Sequence, residues 1–127
     1  MELFFQEFKN RGAKSPENIS LTRSASFGFS YGFCKKHNLT RFRYVVLFYD
    51  KKNRAVGFLF TNNKKRKNKY KINHSPSGKS AHVVAKAFIR AHRIDPKTLH
   101  GHYKPQIYEQ TDIGKLFYIQ FDPQNPS

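Results

Sequence analysis

The sequence predicts an α+β fold in which two pseudo-repeats of strand, short helix and β-hairpin pack as a small barrel-like domain. The stretch "SLTRSASFGFSYGFCKKHNL" at 20–39 is echoed by "KINHSPSGKSAHVVAKAFIRAHRI" at 71–94. Each stretch begins with an alternating run, which is followed by serines and then by a helix-like segment that contains a histidine. Strand-like residues come next. One such repeat is too small to close a core, so we expect the two to pack about a pseudo-two-fold axis.

The first half is predicted as follows. Residues 1–18 form an N-terminal arm, because "RGAKSPEN" breaks any regular pattern with Gly and Pro. Alternation over 19–22 predicts a strand, and 30–37 predicts a short helix with nearby serines as N-cap candidates. "RYVVLFYD" and "AVGFLF" then predict a hairpin that turns at 50–53.

The second half repeats this order. We expect a strand at 70–73, a loop at 75–80 and a helix at 81–94. A second hairpin is expected from 105–108 and 116–121. The predicted organisation is therefore one domain, 19–127, with pseudo-repeats 19–61 and 70–121 joined by a basic linker, 62–69.

Cysteine content and hydropathy indicate the compartment. Cys34 is the single cysteine of the 127 residues, which excludes an internal disulfide and favours a reducing environment. The chain begins without a cationic segment followed by an apolar one, so no signal peptide is expected. No apolar run approaches the ~18 residues that span a bilayer. The sequence predicts a cytoplasmic protein without a membrane partner.

The charge indicates the partner. Lys and Arg number 24 against 8 Asp and Glu, for a net charge of +16, and the whole excess lies in 19–105. Such a field destabilises the folded chain by self-repulsion, and a polyanion relieves it. A merely solubilising surface is less favoured, because acidic residues serve solubility better. We expect DNA as the partner, with RNA as the alternative.

Twelve cations are the predicted phosphate contacts, because Lys and Arg neutralise a nucleic-acid backbone and neighbouring serines add neutral hydrogen bonds. They are Arg23, Lys35, Lys36, Arg41, Arg43, Lys64, Lys65, Arg66, Lys67, Lys79, Arg90 and Arg93.

Enzyme chemistry has weaker support. "NHSPSGKS" at 73–80 ends like a phosphate-binding P-loop, but Asn73 occupies the place of the first Gly. We therefore interpret Lys79 as holding a nucleic-acid phosphate at a helix N-terminus. Asp50 and Asp95 are the only acids near the basic region and have no partner nearby in sequence, which argues against a two-metal nuclease. No catalytic residue, metal or cofactor is predicted.

The histidines keep one alternative open. Of the six, His37 and His92 occupy the same place in both helix-like segments, and His100 and His102 form only a weak zinc-ligand pair. A metal-independent, toxin-like ribonuclease would use a histidine as general base with Lys or Arg stabilising the phosphorane. Another alternative is a protein-interaction module that docks on an acidic partner.

The order strand, short helix and hairpin resembles the AbrB/SpoVT-type swapped-hairpin DNA-binding fold. The matching residues are "ISLTRSASFGFSYGFCKKHNL" followed by "RYVVLFYDKKNRAVGFLF", and a tandem MraZ-like arrangement would account for the second copy. The Gly-Asp pair usual after the family's helix is replaced here by "TRFR". The resemblance implies transcriptional regulation by a monomeric pseudo-dimer or a homodimer. It also implies DNA contacts before each helix, namely Thr22, Arg23, Ser24, His74, Ser75 and Lys79.

Overall fold

The structure, a computed structural model, describes residues 16–121. Its strands are β1 Ile19–Leu21, β2 Ser26–Phe29, β3 Tyr44–Asp50, β4 Ala55–Thr61, β5 Lys69–Lys71, β6 Asn73–His74, β7 Ala81–Val84, β8 Gly101–Tyr103, β9 Gln106–Gln110 and β10 Gly114–Gln120. The helices are α1 Tyr31–Lys36, α2 Lys86–Ala91, α3 Pro96–Leu99 and a 3₁₀ turn, Leu39–Arg41.

The strands form two five-stranded antiparallel sheets, so the α+β class is confirmed. We call the sheet ordered β6-β7-β2-β1-β8 the first sheet and the one ordered β5-β3-β4-β10-β9 the second. Each combines strands from before and after residues 62–68. The sheets face one aromatic core, where the Phe27 ring of the first meets the Phe58 ring of the second edge-to-face at 5.1 Å.

The β3–β4 hairpin is confirmed almost to the residue. Its register places Leu47 opposite Phe58, which also lies opposite Phe117 of β10. Consecutive residues are buried in both strands, Val45 and Val46 in β3 and 56–58 in β4, so both faces of this hairpin are partly covered. At the tip the Asp50 carboxylate accepts hydrogen bonds from the backbone N–H and side-chain amide of Asn53, at 3.1 and 2.8 Å.

The prediction of one helix over 81–94 is wrong in its first turn. Residues 81–84 form β7, which pairs with β2 so that Phe27 lies opposite Val83, both fully buried. Ala81 and Val83 point inward while His82 and Val84 are exposed, so the period of two prevails. The helix occupies Lys86–Ala91 only. β2 itself was missed, because the serines around it were interpreted as N-cap candidates for the following helix.

The short helix after the first serines is confirmed, with Ser30 as its N-cap. The Ser30 hydroxyl accepts from the N–H of Phe33 at 3.3 Å and from that of Asn18 at 2.9 Å, and donates to the carbonyl of Pro16 at 2.7 Å. One side chain thus ties the helix start to the chain that enters β1.

The second hairpin and the loop at 75–80 are also observed, whereas β8, α3 and the 3₁₀ turn were not predicted. Within residues 16–121 no helix is long and apolar enough to cross a membrane. Of the predicted arm, 1–18, residues 1–15 lie outside the described part of the chain. The domain boundaries and the barrel-like packing stay predictions.

Candidate nucleic-acid interface

The described residues carry an almost unbalanced positive charge. Residues 16–121 contain 21 Lys and Arg against five Asp and Glu. They form one ion pair, between Lys36 and Glu17, at 3.3 Å and on the surface. Two of the acids hold the backbone instead: Asp50 closes the β3–β4 turn, and Asp95 accepts the Lys97 N–H at the start of α3. Two of the five carboxylates therefore stabilise turns and one forms an ion pair, so most cations are available to an external anion.

A group of cations gathers where β3 begins and β4 ends. Asn62 binds both flanks of that end: its side-chain amide donates to the carbonyl of Arg41, and its oxygen accepts the Arg43 N–H, both at 2.8 Å. The side chains of Arg41 and Arg43 are exposed. Asn62 thereby fixes the start of the following basic loop, residues 62–68, beside these two arginines.

The basic loop is ordered by its own backbone and side chains. The Asn63 side-chain oxygen accepts the Lys65 N–H at 3.0 Å, and its carbonyl accepts the Arg66 N–H at 3.1 Å. Lys69 closes the loop by donating to the Arg66 carbonyl at 3.1 Å, with its ammonium 5.1 Å from the Tyr44 ring centroid. The loop's remaining lysines, at 64, 65 and 67, are exposed and lack carboxylate partners.

The loop at 75–80 lies at the same end. Gly78, at φ +73°, approaches so closely that an added Cβ would lie 3.1 Å from the Thr40 side chain in the 3₁₀ turn. His74 also ties this region down, because its Nε2 donates to the Phe42 carbonyl at 2.8 Å. Exposed Lys79 thus joins the group, which we name the basic end: Arg41, Arg43, Lys64, Lys65, Arg66, Lys67 and Lys79.

The role predicted for Lys79 at a helix N-terminus is wrong. The chain after Gly78-Lys79-Ser80 continues as β7, and α2 begins only at Lys86. No helix N–H groups therefore converge on this loop, and a P-loop lacks its defining strand–loop–helix context. Lys79 remains an exposed cation of the basic end.

Five predicted cations lie elsewhere. Lys35 and Lys36 are exposed on α1, and Lys36 lines a pocket together with Arg41, so α1 flanks the basic end. Arg90 is exposed on α2. Arg23 lies in the β1–β2 turn, where its Nε donates to His100 at 3.2 Å. The turn's Thr22 and Ser24 hydroxyls contact each other at 3.0 Å.

Arg93 belongs to a second cationic group that the sequence reasoning missed in part. A pocket of about 590 Å³ is lined by Lys51, Arg54, Arg93, Tyr49 and His92. β3 separates this pocket from the basic end by about 20 Å, the length of seven strand residues. The signal was present in "DKKNR", whose three cations were not among the twelve predicted phosphate contacts.

His37, which is half-buried, and His92, which is exposed, both contact aromatic rings. Each follows a six-residue helix as its C-cap and lies between two rings: His37 contacts Phe33 and Phe117, and His92 contacts Phe88 and Tyr49, at centroid distances of 4.5–4.8 Å. Burial, and secondarily the charge of Lys115, lowers the pKa of His37. The matched position of the two histidines was predicted from the sequence, whereas their contacts with aromatic rings were not.

A row of small and polar residues crosses the outer face of the first sheet and was not anticipated. Asn73, His82, Gly28, Ser20 and His102 lie in register on five neighbouring strands. The Ser20 hydroxyl and His102 Nδ1 are 3.1 Å apart, but no carboxylate bonds to that imidazole in residues 16–121. The pair is therefore no catalytic triad. The alternation of inward and outward residues along β2 and β7 was the feature of the sequence that could have indicated this row.

The zinc-ligand pair does not converge either. His100 accepts from Arg23 while His102 contacts Ser20, so the two imidazoles have different partners. Over the described range, no three His, Cys, Asp or Glu side chains group as metal ligands.

Comparison with known proteins adds no relative: no family model, curated protein or solved structure matches the chain.

Proposed function

We propose that this chain is a non-enzymatic nucleic-acid-binding protein whose principal ligand is double-stranded DNA, with RNA as a secondary ligand. The observation that carries the proposal is the basic end, where seven cations from three segments gather without a carboxylate partner. Duplex DNA presents one negative charge per ~1.7 Å of axis, so a dense cationic patch suits it. The second cationic pocket, about 20 Å away along β3, extends the positive surface.

The proposed mode of binding is phosphate contact rather than base reading. Ten of the twelve predicted cations have side chains without a hydrogen bond or ion pair to another residue, and eleven of the twelve are exposed. Such side chains neutralise phosphates irrespective of sequence. Transcriptional regulation is the biological role that we propose from the resemblance to swapped-hairpin DNA-binding proteins.

We also propose that the domain is a tandem of two pseudo-repeats, acting as a monomeric pseudo-dimer or a homodimer. Support comes from α1 and α2, which both have six residues, end on a histidine C-cap and are followed by a left-handed residue, Asn38 or Arg93. In the second sheet, β4 and β10 lie adjacent with β3 and β9 outside them, which is the order a two-fold axis would produce.

The test is fluorescence anisotropy with matched duplex DNA, single-stranded DNA and RNA probes in EDTA, from 50 to 400 mM salt. We expect the tightest binding to the duplex, with log K falling linearly against log salt, and intact probes on a gel afterwards. Weak binding to every probe that disappears at modest salt would refute the proposal and favour an acidic protein partner.

A metal-independent ribonuclease is the second candidate, and the row on the first sheet favours it. His82 and His102 lie three strands apart, about 14 Å between backbones, with only Gly28 and Ser20 between them. Two imidazoles facing one strand of RNA can supply a general acid and a general base. RNA shortened in EDTA by the wild type, but not by a His82→Ala/His102→Ala variant, would establish this activity.

A further inference from the structure

A pocket beside the basic end has features that phosphate contacts alone do not explain. It has a volume of about 430 Å³ and lies between the end of α1 with the 3₁₀ turn on one side and the β9–β10 turn on the other. We name it the ring pocket. Its apolar lining consists of Leu39, Phe42, Leu59, Phe60, Ile113 and Phe117.

The ring pocket combines aromatic rings with cations. Lys36, Arg41 and Lys115 line it, and no Asp or Glu does. The Arg41 guanidinium lies 4.7 Å from the centroid of the Phe42 ring, and the Lys115 ammonium 5.2 Å from that of Phe117. Lys36 is paired with Glu17, so Arg41 and Lys115 are the cations available to an anionic ligand.

Two neutral polar groups of the lining have no hydrogen-bond partner among residues 16–121. They are the imidazole of His37 and the side-chain amide of Asn38, which has left-handed backbone geometry at φ 50°. Burial, with Lys115 and Lys36 nearby, lowers the pKa of His37, so its ring is neutral near pH 7. Imidazole and amide groups can hydrogen-bond the edge of a nucleobase.

We propose that the ring pocket takes one unpaired nucleotide of a bound DNA, an inference that rests on the proposed function. Its base contacts the aromatic lining, and its phosphate lies near Arg41 and Lys115. The volume falls in the range of small-ligand sites, and such sites are mostly apolar with a few polar groups. A base inside an intact duplex cannot enter a pocket, whereas a bulged base is free to leave the stack. Arg41 belongs to both surfaces, so a duplex on the basic end brings its bulge to the pocket.

The test compares two labelled duplexes by anisotropy, one fully paired and one with a single-nucleotide bulge. We expect the wild type to bind the bulged duplex about tenfold more tightly, the scale of one base stacked on aromatic rings. An Asn38→Gly/Lys115→Gln variant keeps the rings but removes an amide and a cation of the lining, so its preference should fall severalfold, the scale of one lost hydrogen bond. Neither of its residues belongs to the basic end, and glycine tolerates the backbone geometry of Asn38.

The control is Ala25→Gly/Lys97→Gln, which also changes a left-handed residue to glycine, at φ 64°, and removes one exposed lysine outside the basic loop. We expect it to keep the preference for the bulge and to match the first variant on the paired duplex. Equal wild-type affinity for both probes, or an undiminished preference in the pocket variant, would overturn the inference while the duplex-binding function stands. Binding of neither probe would refute both together.

Discussion

Replacing the four consecutive cations of the basic loop should weaken DNA binding without weakening the fold. The change is Lys64→Ala, Lys65→Ala, Arg66→Ala and Lys67→Ala. None of these side chains donates a hydrogen bond or has a carboxylate partner in the described structure. The loop's ordering contacts use backbone atoms and the side chains of Asn63 and Lys69, which the variant keeps.

The size of the effect follows from exposure. Each phosphate neutralised on duplex DNA contributes about 0.9 to the slope of log K against log salt. Three of the four side chains are exposed and Arg66 is half-buried, so the slope should flatten by about 2.7 from the lysines and about 3.6 in all. If the two slopes differ by about 3.6, a fourfold rise in salt weakens the wild type about a hundredfold more than it weakens the variant.

Anisotropy on one duplex from 50 to 200 mM salt measures this slope. The matched control removes four exposed lysines from dispersed sites: Lys52→Ala, Lys86→Ala, Lys97→Ala and Lys104→Ala. Since both variants have the same net charge, a local interface predicts a much larger change for the loop variant. Equal changes in the two would refute the reasoning from location, and an unchanged slope would remove the loop from the interface.

Three further predictions concern the core and its titrating groups. Phe58→Ala should lower the free energy of unfolding in urea by about 3–5 kcal/mol, because the ring is fully buried against Phe27 and Phe29. The control Tyr108→Ala, at an exposed site, should change it by less than about 0.5 kcal/mol. Similar losses in the two variants would contradict the assignment of Phe58 to the core. Burial raises the pKa of the Cys34 thiol to about 11, so iodoacetamide at pH 8 should label it only after unfolding, and rapid labelling of native protein would contradict this. Burial lowers the pKa of His37 in the folded chain below the ordinary value of 6.5, so on acidification the unfolded chain takes up a proton at this histidine before the folded chain does. Stability should therefore fall from pH 7 to pH 5 more steeply in the wild type than in His37→Phe. Equal slopes would show that His37 does not contribute.

Local patterns predicted the elements whose signals agreed with one another. Apolar runs on both sides of the polar turn at 50–53 identified the β3–β4 hairpin, and Ser30 before a short apolar run identified α1. Residues 81–84 fit both helical and strand periods, and only their pairing with β2 selects the strand. Such non-local pairing is not visible in a single stretch of sequence.

In the candidate site, too, some residues could be placed together from the chain order, whereas others meet only through tertiary packing. Arg41, Arg43 and the basic loop are joined by one hairpin, so their proximity could be expected from the chain order. Lys79 reaches them only because the 75–80 loop packs on the 3₁₀ turn. Arg93 meets Lys51 and Arg54 through the packing of His92 on Tyr49, which no spacing in the sequence encodes.

The distribution of strands between the two sheets has a consequence for chain continuity. β1 and β2 pair with β7 and β8, while β3 and β4 pair with β5 and β10, so partners from before and after the basic loop meet in both sheets. Residues 62–68 join these partners but supply no strand. A protease that cleaves after the lysines of this loop would therefore yield two fragments still held together by strand pairing and a shared aromatic core. Fragments made separately would each lack half of both sheets and could regain structure only by recombining.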